Sequence, residues 1–236
     1  MIMKNPFQHA NRRSSTKDFV YFEIKQRIIE GILEPNESIS EENIATELNI
    51  SRTPIREALQ RLEIEELITR LPNGRLQVSP ISIREVEEIY NVRSLLEGLV
   101  AREATLKANE NDLKKLNQFT QLILEASEND IRDDVVFYGN EMHSYLYQIS
   151  GNKNAVKILN QLNDHISRYR RLGPTKNNER SKKAAQEHME IYEALVKKDP
   201  EKVEMLMRAH IHNSLEAAID SIKKHLQKSI ELEGNG

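Results

Sequence analysis

Residues Ser40–Ile64 read SEENIATELNISRTPIREALQRLEI, and this stretch decides the fold. Ser40 can cap a short helix in which Ile44 and Leu48 point inward. A tight turn through Asn49–Ser51 follows. Thr53 then suits an N-cap, and Pro54 the first helical position, where a missing N–H costs nothing. Ile55, Leu59 and Leu62 fall on one face of the next helix. Two helices joined this closely form a helix-turn-helix, in which the first turn of the second helix enters a DNA major groove. Here that turn carries Ser51, Arg52, Thr53, Pro54 and Arg56. Two guanidiniums can form bidentate bonds to guanine or to phosphate. The hydroxyls of Ser51 and Thr53, with the free N–H groups of the helix end, suit a phosphate.

Outward from this motif the rest of a small domain can be traced. Upstream, Val20 to Ile32 is amphipathic, with Ile24, Ile28 and Ile32 on one face, and Gly31 and Pro35 end it. Downstream, Leu67–Thr69 and Leu76–Ser79 are β-capable runs around Pro72-Asn73-Gly74, a strong hairpin signal. Asn73, Gly74 and Arg75 at that tip could reach a minor groove or the DNA backbone. Residues 18–80 therefore read as a winged helix-turn-helix. Residues 1–17 hold Lys4, Arg12, Arg13 and Lys17 and no acid, and read as a flexible basic arm.

Beyond Pro80 the composition changes: up to Gly151 there is no proline, and only Gly98 and Gly139 interrupt. Ile83, Val86, Ile89, Tyr90, Val92, Leu95, Leu96, Leu99 and Val100 trace one apolar stripe at about 3.6 residues per turn. Further amphipathic segments run over 110–127, 131–149, 153–172, 179–197 and 200–228. Residues 83–228 thus read as an antiparallel bundle of about six helices, with a disordered tail at 229–236. The chain is mainly α.

Of 236 residues, 30% are charged, 38% hydrophobic and 5% aromatic. That is too apolar for wholesale disorder. No run approaches the ~18 apolar residues of a membrane span, and the N-terminus lacks a signal-peptide core, so a cytoplasmic protein is expected. With no cysteine there is no disulfide, thiolate metal site or cysteine nucleophile. The net charge of −3 means that DNA binding must come from a local basic patch.

The string ISRTPIREALQRLEIEELI, preceded by IIEGILEPNESISEENIATEL, resembles the winged-helix domain of GntR-family bacterial transcription regulators. By that resemblance Arg52 and Arg56 contact bases or phosphates, Thr53 contacts a phosphate, and Gly74 lets the wing approach the backbone. Two positions depart from the family: Asn36 stands where glycine is frequent, and Glu42 where an arginine often touches DNA. The second part resembles the FCD effector domain of the FadR subfamily, on EIYNVRSLLEGLVAREA, HSYLYQISGN and QEHMEIYEALVKKDPEKVEMLMRAHI. The resemblance implies a homodimer, a small acidic metabolite as effector, and a divalent metal held by three histidines and an acid.

His143, His188 and His210 lie on three different expected helices and can converge in a bundle core. Neutral imidazoles suit zinc, nickel, manganese or iron. His212, about 200° around the helix from His210, cannot share its direction. The family's acid falls at Gly139, which has no side chain, and Asn140 is a weak neutral substitute. The alternative is that the histidines line a polar pocket or satisfy core hydrogen bonds. Arg93 interrupts the apolar stripe, so it either pairs with a core acid or receives the effector's carboxylate, and the second is preferred. Tyr138, Tyr145, Arg168 and Tyr169 are further candidates for the effector pocket.

The rival class is a metal-dependent hydrolase on a three-histidine bundle. No HExxH is present, and Glu187, beside His188, points about 100° away from it. A protein-interaction module whose winged helix binds no DNA is the third possibility.

Overall fold

The structure, a computed structural model, describes residues 15–171 and 178–233. Most of the expected basic arm, residues 172–177 with Gly173 and Pro174, and the last three residues lie outside the described residues. Two compact units meet at Pro80 and Ile81, and each is described by itself.

In the first unit, α1 (Thr16–Glu30) begins on a capping box. Ser15 accepts from the Asp18 N–H, while the Asp18 side chain answers the Ser15 backbone. Thr16 and Lys17 are thus helical rather than part of an arm. Gly31, at φ 68°, closes the helix in the left-handed region. Ile32 therefore leaves the helical face and is exposed, while Val20, Tyr21, Ile24 and Ile28 are buried.

Strand β1 (Ser38–Ile39) leads into α2 (Glu41–Leu48), capped by Ser40 on the Asn43 N–H. α3 (Arg52–Ile64) starts two residues earlier than its sequence suggests. Ser51 is the N-cap, and Thr53 and Pro54 sit inside the first turn. That costs nothing, because the N–H groups of the whole first turn lack helical partners. Ile55, Ala58, Leu59 and Leu62 of α3 close on α1. Burying each large aliphatic side chain contributes about 1.5–3 kcal/mol.

β2 (Ile68–Arg70) and β3 (Leu76–Val78) form the wing, and the antiparallel sheet has the order β1-β3-β2. Asn36 holds φ 68°, which explains why glycine is usual there and why asparagine, tolerant of that region, can replace it.

The second unit contains α4 (Ile83–Lys107), α5 (Glu110–Glu128), α6 (Arg132–Ser150), α7 (Lys153–Arg171), α8 (Asn178–Val196) and α9 (Pro200–Glu233). The caps are local: Ser82 caps α4, Asn109 and Asp112 form a capping box on α5, and Gly151 at φ 62° ends α6. α9 continues to Glu233, so helix occupies residues 229–233, where a disordered tail was expected. Ile123, Met142, Ile166, Ile191, Met207 and Ile211 help to build one apolar core from five of these helices.

The stripe expected on α4 is too wide. Val92, Leu95 and Leu99 are exposed, and the buried face runs through Val86, Tyr90, Arg93, Glu97, Ala101 and Ala104. A strong apolar period locates a helix but not which edge of its stripe faces inward.

Candidate functional site

On the first unit, the start of α3 presents an exposed polar tip. Ser51, Arg52, Thr53 and Arg56 are exposed, and Pro54 is half-buried. Glu41 of α2 accepts from Arg56 Nε at 2.8 Å and from Arg52 Nη2 at 3.3 Å. Both arginine side chains remain more than half exposed, at 56% for Arg52 and 61% for Arg56. The two guanidiniums hold the Glu41 carboxyl below its usual range, the Arg56 hydrogen bond first among the causes. Such surface pairs contribute little and exchange easily with another anion.

At the wing tip, Leu71 accepts from the Gly74 N–H, and Asn73 Oδ1 accepts from the Arg75 N–H. Gly74 holds φ 82°, a region where a side chain is strained. Arg70, which the sequence did not single out, donates twice to Glu63 of α3 (3.0 and 2.8 Å) and once to the Gly74 carbonyl. It ties the wing to α3. Glu42 is exposed on α2.

On the second unit, His143 of α6, His188 of α8 and His210 of α9 come together, and all three are buried. One nitrogen from each ring lies within 4.8 Å of the others. The Nε2 atoms of His143 and His210 are 3.4 Å apart. That equals the edge of a tetrahedron with metal–nitrogen bonds of about 2.1 Å.

Each ring is held from behind. His143 Nδ1 lies 2.8 Å from Glu97, His210 Nδ1 2.6 Å from Glu187, and His188 Nδ1 2.7 Å from the Ala184 carbonyl. All three partners are acceptors, so each Nδ1 carries a proton. Burial, and after it the neighbouring His143, lower the His188 pKa to about 3. Burial likewise pushes His210 well below the ordinary histidine range, and both rings are neutral near pH 7. His188 Nε2 has no hydrogen-bond partner among the described residues. Its Nδ1 partner fixes the ring, so the free nitrogen is aimed rather than loose. Rings oriented through Nδ1 with Nε2 converging are the arrangement of metal-bound histidines, and the residues present fit a divalent transition metal.

Glu97 anchors this cluster. Burial alone would raise its carboxyl, but His143 and Arg93 outweigh burial and hold it at about 2. It pairs with Arg93 at 3.0 Å and accepts from the Tyr147 hydroxyl at 2.7 Å. Arg93 therefore pairs with a core acid one turn along its own helix, while its buried Nη1 has no hydrogen-bond partner among the described residues. The sequence also missed Glu187. It points away from His188 as the helical angle requires, yet it reaches His210 across the α8–α9 interface.

A cavity of about 130 Å³ opens beside the histidines. Its wall includes Tyr90, Gly139, Asn140, His143, Tyr169, Arg170, Arg180, His188 and His210. Of the effector candidates, Tyr169 stands in this wall, whereas Tyr138, Tyr145, Arg168 and Arg93 do not. Tyr145 is engaged with Asp112 at 2.7 Å. The Tyr169 hydroxyl donates to Glu85 at 3.0 Å. The direction of a helical side chain depends on the helix rotation, which periodicity sets only coarsely. Asn140 is in the wall, but its Oδ1 accepts from Arg170 at 2.7 Å, which commits it to a cation rather than to the histidines. Arg170 and Arg180 were not anticipated. His212 is exposed and lies near Glu216, away from the cluster.

A winged helix-turn-helix unit followed in the chain by a helical unit defines a class of DNA-binding regulators. Family comparisons agree. Residues 16–78 match the bacterial regulatory proteins of the gntR family, and residues 88–213 match the FCD domain. The chain belongs to the gntR family and carries an FCD domain.

Over 213 residues it is 26% identical to the HTH-type transcriptional repressor RspR of Escherichia coli K12, covering 90% of each chain. It is 28% identical over 197 residues to the HTH-type transcriptional regulator YdhC of Bacillus subtilis, covering 83% of this chain and 88% of the relative. The solved structure of E. coli McbR/YncC shares the fold, with a TM-score of 0.72 at 20% identity over 89% of this chain and 99% of that one. The protein is a transcriptional regulator and not an enzyme, so the hydrolase alternative has no support. Among the described residues no helix is long and apolar enough to cross a membrane.

Proposed function

We propose that this regulator is a homodimeric repressor that reads a near-palindromic operator and is controlled by a small carboxylate metabolite bound beside a divalent metal. For the reading head, the supporting observation is the pair of exposed guanidiniums on the first turn of α3. On DNA, bases or phosphates replace Glu41 as their partner. Thr53 and the α3 N-terminus take a phosphate, Asn73–Arg75 follow the backbone beyond the groove, and a twofold dimer repeats the contacts one turn away.

For the control unit, the supporting observation is the convergence of one nitrogen from each of three buried histidines, with each ring held through its Nδ1. His143, His188 and His210 would hold zinc, nickel, manganese or iron. The bound ion supplies a Lewis-acidic anchor for a carboxylate oxygen. Arg170 and Arg180 receive the remaining negative charge. Effector binding shifts the placement of the two heads and so changes operator affinity, provided that it binds one arrangement better than the other.

A mobility shift on a palindrome from the protein's own promoter tests this reading. Arg52→Ala and Arg56→Ala are each expected to weaken binding by about 1–3 kcal/mol. Wild-type affinity in both variants would remove α3 as the reading element, and affinity indifferent to salt would argue against phosphate contacts.

A further inference from the structure

The guanidiniums at the α3 tip share a single acceptor atom. Arg56 Nε (2.8 Å) and Arg52 Nη2 (3.3 Å) both donate to Oε2 of Glu41. Glu41 is the first residue of α2, directly after the Ser40 cap, so the helix start fixes its backbone. Among the described residues the Nη1 and Nη2 groups of Arg56 have no partner, and that outer edge of the fork is exposed with the rest of the side chain. Arg75 at the wing tip differs. It is exposed, and among the described residues its guanidinium has no carboxylate partner.

Residues 15–80 carry eight lysines and arginines against twelve aspartates and glutamates, so this unit as a whole repels a duplex. Its attraction to DNA depends on where single cations stand. Binding without regard to sequence comes from cations that neutralise phosphates and release counterions. A guanidinium that already faces a carboxylate gains little by that route. It gives up one anion to take another, and the abandoned carboxylate is left facing the phosphates. A guanine edge is neutral and accepts two parallel N–H groups through O6 and N7. Nη1 and Nη2 of Arg56 can meet it while Nε stays on Glu41, so at a base edge the exchange of partners need not be complete.

We infer that Glu41 is a positioning residue for sequence discrimination: by holding Arg52 and Arg56 on one carboxylate oxygen it disfavours their use on phosphate and leaves the outer edge of Arg56 for a base. This rests on the reading of α3 as the element that enters the groove. Phosphate contacts then fall to groups without a carboxylate of their own, Arg75 among them, and to the α3 N-terminus.

The test compares Glu41→Gln with wild type by fluorescence anisotropy on the full-length protein. Two labelled duplexes are used: one that the wild-type protein selects from a random pool, and a scrambled duplex of the same length and composition. At about 100 mM KCl, Glu41→Gln is expected to bind the scrambled duplex about fivefold more tightly, with a salt dependence steeper by about one counterion per bound head. Its affinity for the selected duplex is expected to stay within about twofold of wild type, so the specificity ratio falls. Glu42→Gln removes the neighbouring exposed carboxylate, which has no ion pair among the described residues, and reports the general effect of one lost negative charge. It is expected to change binding to the scrambled duplex less than Glu41→Gln does. No gain on the scrambled duplex, equal gains on both duplexes, or equal effects of the two variants would each overturn the role of Glu41 and leave α3 as the reading element. A wild-type protein that selects no sequence overturns the reading of α3 itself.

Discussion

The tip of α3 and the heart of the helical unit each hold arginines against a glutamate, and the two arrangements work in opposite ways. Arg52 and Arg56 meet Glu41 at the surface, where water screens the attraction and either arginine can leave for a phosphate. Arg93 meets Glu97 with side-chain exposures of 2% and 1%, and neither charge has an alternative partner in solvent. The first pair suits a site that must release its own carboxylate to take another anion. The second suits a fixed support, because Glu97 also orients His143 and accepts from Tyr147. The chemistry is similar, and burial decides which is a switchable contact and which a rigid one.

The contrast can be broken by removing each glutamate. Glu97→Ala leaves a buried guanidinium, a ring N–H and a hydroxyl without their acceptor. Such a loss costs about 3–5 kcal/mol. For a domain of this size that lowers the melting temperature of the helical unit by about 10 °C in scanning calorimetry. Glu41→Ala should change stability by less than about 1 kcal/mol, close to the resolution of the same experiment. Comparable losses from the two variants would show that burial does not separate the pairs.

Much of the architecture was legible because its signals are local. Six segments of sustained helical period are six helices, with ends mostly within one or two residues of their expected places. Pro72-Asn73-Gly74 marked the wing. What escaped depended on partners distant in sequence. β1 is only Ser38–Ile39 and exists by pairing with β3. Val92, Leu95 and Leu99 are apolar yet face outward, because the neighbours that bury Arg93 and Glu97 set the rotation of α4.

At the candidate site, the histidines stood out as residue types on separate helices. Their supports did not. Glu187 reaches His210 rather than its neighbour His188, and Arg170 and Arg180 enter the cavity from the ends of α7 and α8. Nothing in a one-dimensional period reports such convergence. Gly139 was visible as a missing acid, and its place against His188 Nε2 shows that the gap opens onto the cavity.

The most direct test of the account is whether the three Nε2 atoms bind a metal ion. Elemental analysis of the purified protein, with thermal melting after chelation and after adding Ni²⁺, measures this together. The account predicts about one transition-metal ion per chain, or a melting temperature that rises with Ni²⁺, and neither in His188→Ala. A wild-type protein that is metal-free as purified and melts at the same temperature with and without Ni²⁺ would contradict it.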